Sequence, residues 1–533
     1  MRRLIDFCSF TGSGWRFLVL IPVMLFFALS WQKSYTGDEG LTVLLASGSY
    51  SDLLSNVGAD FHVPGYYTCL WLISHFLGGS LLVLRLFSLL LILMMITLAL
   101  RHLSFTAALF IALSPFTLHL ALEIRMYAML ALLGLLLVLA YKRYARLKNR
   151  VTLAVLIITL SICTWVHYFG WIGTAAVASL LLVRRKWKHS ILVAFSVTVL
   201  FLPWAGNIKY KTDSTVNEST VAMEIAADAP ALRHRLTGMP LSVGGTILRF
   251  AGGTSVFNFS QGGIRSISVM TLLGFSTGLL MLLLAARGFR KSDGICKSLI
   301  LCAFLGLSFF RPSSRHFAIA FPAYLIAASA GLPSTVFRRN AIITFLAVLM
   351  LILCIPLTLR STLPQRCTWD RDYLQIARLS VEESRRDYLP VVLFLDTYSY
   401  LGIKMHMDQL GFPDSMVWHP HRSSFQEGRF FYESIDQCVN YLQHNTDSLV
   451  SVWINLTQDR RGFVLIANRP GVTPGRIFGE GDNLFTGLGS DIMADMDLME
   501  ALVQAAPVRQ INLSGSGGPI SLFVCGRNTG QQH

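Results

Sequence analysis

From Trp15 to about Leu359 the chain alternates long apolar runs with short polar clusters, and beyond Arg360 that pattern stops. Runs that are apolar on every side predict helices surrounded by protein or lipid rather than one-sided surface helices. The expected spans are residues 15–31, 82–100, 104–119, 126–141, 151–166, 168–183, 189–204, 267–286, 298–310, 316–332 and 341–359, eleven helices in all. Several fall short of the roughly 20 residues that cross a bilayer. Tyr66–Leu77 is also apolar, but it is short, carries His75 and runs into Gly78-Gly79-Ser80. Pieces of about 10–14 residues are more often interfacial or re-entrant.

The basic clusters decide between these options. If Tyr66–Leu77 crossed the membrane, Lys142-Arg143…Arg150, Arg184-Arg185-Lys186…Lys188, Arg287…Arg290-Lys291 and Arg338-Arg339 would all lie outside. If it lies on the outer surface, all four become cytoplasmic together with Arg101-His102, as the positive-inside rule expects. Arg2, Arg3 and Arg16 precede the first helix and place the N-terminus in the cytoplasm. The run after Arg16 lacks a small-residue cleavage site and is expected to be a retained span. Residues 207–264 then form a long external loop.

After Arg360, charged residues, Gly, Asn and Asp become frequent. Val391–Leu395, Val450–Ile454 and Phe463–Ile466 are short β-rich runs bounded by polar or turn residues, as strands are. Tyr373–Arg385 has the spacing of an amphipathic helix. The expected organisation is a transmembrane domain over residues 1–360 and a soluble α/β domain over residues 361–533 on the outer face.

Composition agrees. Of 533 residues, 53% are hydrophobic and only 14% charged, and the mean hydropathy is +0.54. That balance fits a polytopic membrane protein. A net charge of +15 would suggest nucleic acid in a soluble protein. Here much of the Lys and Arg sits in the clusters between spans, so no nucleic-acid partner is implied. The nine cysteines lack CxxC spacing, which points to neither a zinc site nor a redox motif.

With this topology one face collects acids, bases and aromatics from five connections. Asp38 and Glu39 follow the first helix; His62, Tyr66 and Tyr67 close the loop that begins there. Glu123, Arg125 and Tyr127 follow Pro115, His167 and Tyr168 sit at a helix-to-helix turn, and Arg315 and His316 begin a later span. Acids near hydrocarbon are costly and by default mark function. Each also has a plainer role. The acidic pair can cap a helix N-terminus, Glu123 and Arg125 can form a surface ion pair, the tyrosines can belong to the interfacial aromatic belt, and Arg315 can be a topological anchor. Asp38, Glu39 and Glu123 offer the hard oxygens that magnesium or manganese prefers, although no DxD spacing is present, so a divalent cation is allowed rather than required.

The outer face has no nucleotide-sugar pool. A sugar transferase there needs a donor carried on a lipid phosphate, arginines to match the phosphate oxygens and a carboxylate to take a proton from the acceptor hydroxyl. Asp38 and Arg315 supply those types.

Several stretches in order carry a family resemblance: Asp38-Glu39, His62-x-Pro64-x-Tyr66-Tyr67, Leu84-Arg85-Leu86, Ser114-Pro115 leading to Glu123-x-Arg125-x-Tyr127, His167-Tyr168, and Arg315 followed by Pro322. Over about residues 15–335 the chain resembles bacterial type-C (GT-C) membrane glycosyltransferases, and more narrowly the protein O-mannosyltransferase and lipid A aminoarabinose transferase group. The resemblance implies an inner-membrane enzyme with Asp38 as catalytic base. It also implies a polyprenyl-phosphate monosaccharide donor, inversion at the anomeric carbon, and a lipid, protein or glycan acceptor. Glu39 and His62 would orient acceptor or sugar, and Arg315 with Arg125 would hold the departing phosphate. Val63 and Gly65 depart from the family's usual residues, which bears on acceptor preference. A transporter or flippase, a non-catalytic scaffold and a polysaccharide polymerase are the alternatives. The first would be expected to line the bilayer midplane with polar residues, whereas here they gather at helix ends.

Overall fold

The computed structural model describes residues 14–32, 37–59, 62–227, 269–310, 314–362, 373–387, 389, 391–394, 397–413, 416–418, 463–468, 508–511 and 520–525. Helices occupy every place where an apolar run predicts one. A 3-10 segment, Gly14–Leu20, leads into α1 (Ile21–Ser30). Three short helices follow: α2 (Gly37–Leu45), which carries the acidic pair, α3 (Tyr50–Ala59) and α4 (Pro64–Leu77). Then come α5 (Leu81–His102), α6 (Phe105–Leu113), α7 (Pro115–Leu122), α8 (Tyr127–Leu147), α9 (Arg150–Val166), α10 (Trp171–Val183) and α11 (Trp187–Ala227). The helical part closes with α12 (Val269–Phe289), α13 (Gly294–Phe310), the 3-10 segment Ser314–Ala320 running into α14 (Phe321–Ala330), and α15 (Val336–Thr362).

Local chemistry sets many of these ends. Ser80 accepts from the Val83 amide to start α5, and Arg101 and His102 close it, where positive charge meets the negative end of the helix dipole. Asn149 caps α9 through the Thr152 amide. Among the described residues, five helices are long and apolar enough to cross a membrane: Leu81–His102, Tyr127–Leu147, Trp187–Asn207, Leu272–Phe289 and Val336–Ile355. Arg16–Ser30, Arg150–Val166, Tyr168–Val183 and Gly294–Gly306 are shorter apolar helices. Large side chains such as Phe195 (66% exposed) and Phe337 (84%) face outward, as lipid-facing residues do. The chain is an integral membrane protein.

Two expectations change in detail. The span expected over 104–119 is two helices, α6 and α7, bent by 58°. Pro115 cannot donate to a continuing helix, and the Ser114 hydroxyl starts the second piece by accepting from the Phe116 amide at 3.2 Å. The external loop expected from 207 is helical as far as Ala227; its remainder lies outside the described residues.

Beyond α15, α16 (Tyr373–Asp387) and α17 (Thr397–Gln409) accompany a five-stranded mixed sheet. Its strands are β1 (Val391–Phe394), β2 (Val417–Trp418), β3 (Phe463–Asn468), β4 (Val508–Ile511) and β5 (Ile520–Cys525), in the order β2-β1-β3-β5-β4. β1 runs parallel to β2 and β3, with Val391 opposite Val417 and Val464. β5 runs antiparallel to β3 and β4, with Cys525 opposite Phe463 and Val508. Two expected strands and the expected helix are present. The third, Val450–Ile454, lies outside the described residues.

Candidate active site

The site is built around a corner of chain, Glu123-Ile124-Arg125, between α7 and α8. Each of its three residues is held by a different partner. The Ile124 amide donates to Glu39 Oε1 at 3.0 Å. Arg125 Nη1 donates to Thr42 Oγ1 at 2.8 Å. Glu123 Oε1 accepts from Arg315 Nη1 at 2.9 Å, while the Glu123 carbonyl accepts from Ser88 Oγ at 2.8 Å. Glu39 and Thr42 stand three residues apart, on one face of α2, so this helix grips the corner at two points.

Glu39 is itself fixed from below. Its side chain is 2% exposed and that of Arg85 is 0% exposed, and they pair at 3.1 Å. Arg85 Nη1 also donates to the Trp31 carbonyl at 2.6 Å. An arginine inside an otherwise apolar helix requires such compensation. Glu39 is therefore locked between a guanidinium and a backbone amide. Asp38 lies one residue earlier on α2, and its side chain lies outside the described residues.

Tyr127 opens α8 and gathers the upper part of the site. The guanidinium carbons of Arg315 and Arg125 lie 5.4 and 5.8 Å from its ring centre, within cation–π range. His316 meets the ring edge-on at 5.5 Å and His167 approaches at 5.7 Å. The two imidazoles are 5.6 Å apart. His167 Nδ1 accepts from the Phe169 amide at 3.0 Å, which leaves Nε2 as the ring's other polar atom. Burial, and then the nearby His316, His62 and Arg125, hold His167 well below the usual imidazole range, so it is neutral.

His62 Nε2 stands 3.5 Å from Arg125 Nη2, and its ring meets Tyr67 edge-on at 5.6 Å. Tyr66 and Tyr67 are fully buried, with Tyr66 stacked on Phe87 of α5. Tyr168 packs its ring on Phe201 of α11 at 6.3 Å.

Two glycines bring these pieces together. A Cβ at Gly134 of α8 would sit 2.1 Å from the Ile319 carbonyl oxygen, so its absence lets the segment bearing Arg315 and His316 lie directly on α8. At Gly65 a Cβ would sit 2.5 Å from the Trp165 carbonyl oxygen. Gly65, one of the two residues at which this chain departs from the resembled family, thus permits close packing of α4 on the end of α9.

All five predicted connections contribute to this region. Thr42, Ser88 and His119 were not singled out by the sequence. His119 Nε2 lies 3.6 Å from Glu123 Oε2, and Thr42 shares a helix face with Glu39. Both spacings were available as signals, since residues three or four apart on a helix are neighbours. Among the described residues no three His, Cys, Asp or Glu side chains group closely enough to hold a metal ion. Both oxygens of Glu39 and Oε1 of Glu123 accept from guanidinium or backbone donors, while Glu123 Oε2 lies beside His119.

No protein-family model matches the sequence, and no curated protein does. Solved structures do. The chain is similar to ArnT from Cupriavidus metallidurans in the apo state, with a TM-score of 0.51 at 11% identity over 96% of this chain and 98% of that one. The structure of the same protein bound to undecaprenyl phosphate gives the same values. The archaeal oligosaccharyltransferase AglB from Archaeoglobus fulgidus, in complex with an inhibitory peptide and a dolichol-phosphate, gives a TM-score of 0.45 at 13% identity over 88% of this chain and 71% of that one. The ArnT likeness covers nearly both whole chains, and the fold is the type-C fold that the resemblance implies.

Proposed function

We propose that this chain is an inverting glycosyltransferase. It moves a sugar from a polyprenyl-phosphate monosaccharide to an acceptor hydroxyl on a lipid, protein or glycan at the outer face of the membrane. The observation that carries this reading is the convergence of Arg125 and Arg315 on Tyr127, beside the helix that bears Asp38. Asp38 takes the proton from the acceptor hydroxyl. The oxygen attacks the anomeric carbon, the bond from that carbon to phosphate oxygen breaks, and polyprenyl phosphate leaves with the electron pair. Negative charge on the phosphate grows as that bond breaks, and preorganised guanidinium groups stabilise such growth. Glu39 holds α2 in place, and His62 is positioned to orient the acceptor or the sugar. The shared fold of ArnT, whose structure is known with undecaprenyl phosphate bound, supports a polyprenyl phosphate as the lipid carrier.

The same reading includes the topology. Eleven spans lie in the inner membrane of a bacterium, the N-terminus is cytoplasmic, and the segment from 361 forms an external α/β domain. The test is turnover of polyprenyl-phosphate sugars by the full-length protein in liposomes, with reporters fused after Arg146 and Gln365. Sugar transfer, a cytoplasmic reporter at 146 and an external one at 365 are expected. A protein that moves the intact lipid across the bilayer and transfers no sugar would overturn the reading in favour of a flippase.

A further inference from the structure

Helix α17, more than 300 residues beyond the acidic pair in sequence, packs against α2. Gly402, Ile403, His406 and Met407 form one stripe at helical spacing, and Ile403, His406 and Met407 are each 0% exposed. The helix also closes on α16, where a Cβ at Gly402 would lie 2.2 Å from the Tyr373 ring. The stripe therefore places an imidazole in the dry layer that already contains Glu39 (1% exposed) and Arg85 (0%). The charges whose fields reach the imidazole are those of Arg85 on α5, Glu39 on α2 and Arg378 on α16, with the uncharged Gln409 beside it on its own helix. Leucine or methionine would fill such a position without the cost of burying a polar ring.

We infer that His406 is a positioning residue of the transfer site: its neutral imidazole, carried in from the C-terminal segment, sets the Arg85–Glu39 pair and with it the helix that presents Asp38. The inference rests on the function proposed above. Burial and the Arg85 guanidinium push His406 down to about 4. As pH falls from the ordinary imidazole value of about 6.5 toward that level, the undocked state takes up a proton that the docked state excludes, so docking of α17 weakens.

The test uses full-length protein in liposomes with His406→Lys and His406→Gln. A fixed cation beside Arg85 should displace α2, and His406→Lys should lower kcat on the order of 10- to 100-fold. KM for a polyprenyl-phosphate sugar should stay close to wild type, because the phosphate contacts come from Arg125 and Arg315. His406→Gln, uncharged and of similar reach, should recover most of that kcat. Hydrogen exchange of the α2 amides, corrected for intrinsic rate, should rise on acidification in wild type and stay flat in His406→Gln. Wild-type kcat in His406→Lys, a parallel loss of donor affinity, or an unchanged acid response in His406→Gln would each overturn the inference. If the wild-type protein transfers no sugar, the function reading fails, while the exchange measurement still decides whether His406 holds α2.

Discussion

Two carboxylate–guanidinium pairs meet at the same corner of chain, and they differ chiefly in water. Glu39–Arg85 has side chains 2% and 0% exposed. Glu123–Arg315 has side chains 7% and 32% exposed. The dry pair cannot trade partners, because an unpaired charge left in that layer is costly. The wetter pair can, because solvent lowers the cost of separating it, and an anionic phosphate offers Arg315 a substitute for the carboxylate. The two are joined through one peptide unit: Glu39 accepts from the Ile124 amide, and Glu123 precedes it. Similar ion-pair chemistry thus gives two kinds of pair, one that holds the frame and one that, on the proposed function, can give up its arginine to the donor phosphate.

The largest expected effect comes from breaking the dry pair. Glu39→Gln leaves Arg85 buried without its counter-charge and should cost about 3–5 kcal/mol of stability. Thermal unfolding of the detergent-solubilised protein measures this. Combining it with Arg85→Met removes both charges and should recover most of the loss. A double variant as unstable as the single one would mean that the pair is not what holds α2.

The wetter pair should behave differently. Arg315→Ala should cost less stability than Glu39→Gln, because Arg315 is 32% exposed and solvent screens its side of the pair. It should weaken donor binding by roughly 10- to 100-fold, the range for hydrogen bonds to charged groups. Arg315→Lys should recover part, since an ammonium lacks the two-pronged fork. Full donor affinity in both variants would reduce Arg315 to a topological anchor and erase the contrast.

Acidification sharpens the comparison with a smaller effect. Two buried histidines lie below the usual imidazole range, first through burial: His406 near the dry pair and His167 beside Tyr127 and His316. A group whose folded value is depressed is neutral in both states above about pH 6.5. Below that the unfolded chain binds the proton first, so stability is lost as pH falls. Unfolding temperature should therefore decline below about pH 6.5, less steeply in His406→Gln. A flat profile would show that these imidazoles are not held neutral.

Much of the architecture was legible because lipid imposes long apolar runs, and the polar residues between them stand out. The strands β1 and β3 were visible as β-rich runs bounded by turns. The break at Ser114-Pro115 carried its signal in the proline, yet an uninterrupted apolar run hides it. The five connections of the site were legible as types of residue but not as partners. Nothing local distinguishes Glu39 from Asp38; Arg85 and the Ile124 amide, brought in by folding, make Glu39 a fixed strut. His406 had no local signal, since its neighbours Arg85 and Glu39 arrive from the far end of the chain.

The central claim is that the acid beside this strut is the base. Turnover of a polyprenyl-phosphate sugar by Asp38→Asn in liposomes, with donor binding measured in parallel, tests it most directly. The exchange is nearly isosteric and removes only the proton acceptor. The expected result is a fall in turnover of roughly 10²–10⁴-fold with donor affinity close to wild type. Wild-type turnover would contradict the claim and move the search for the base to Glu123.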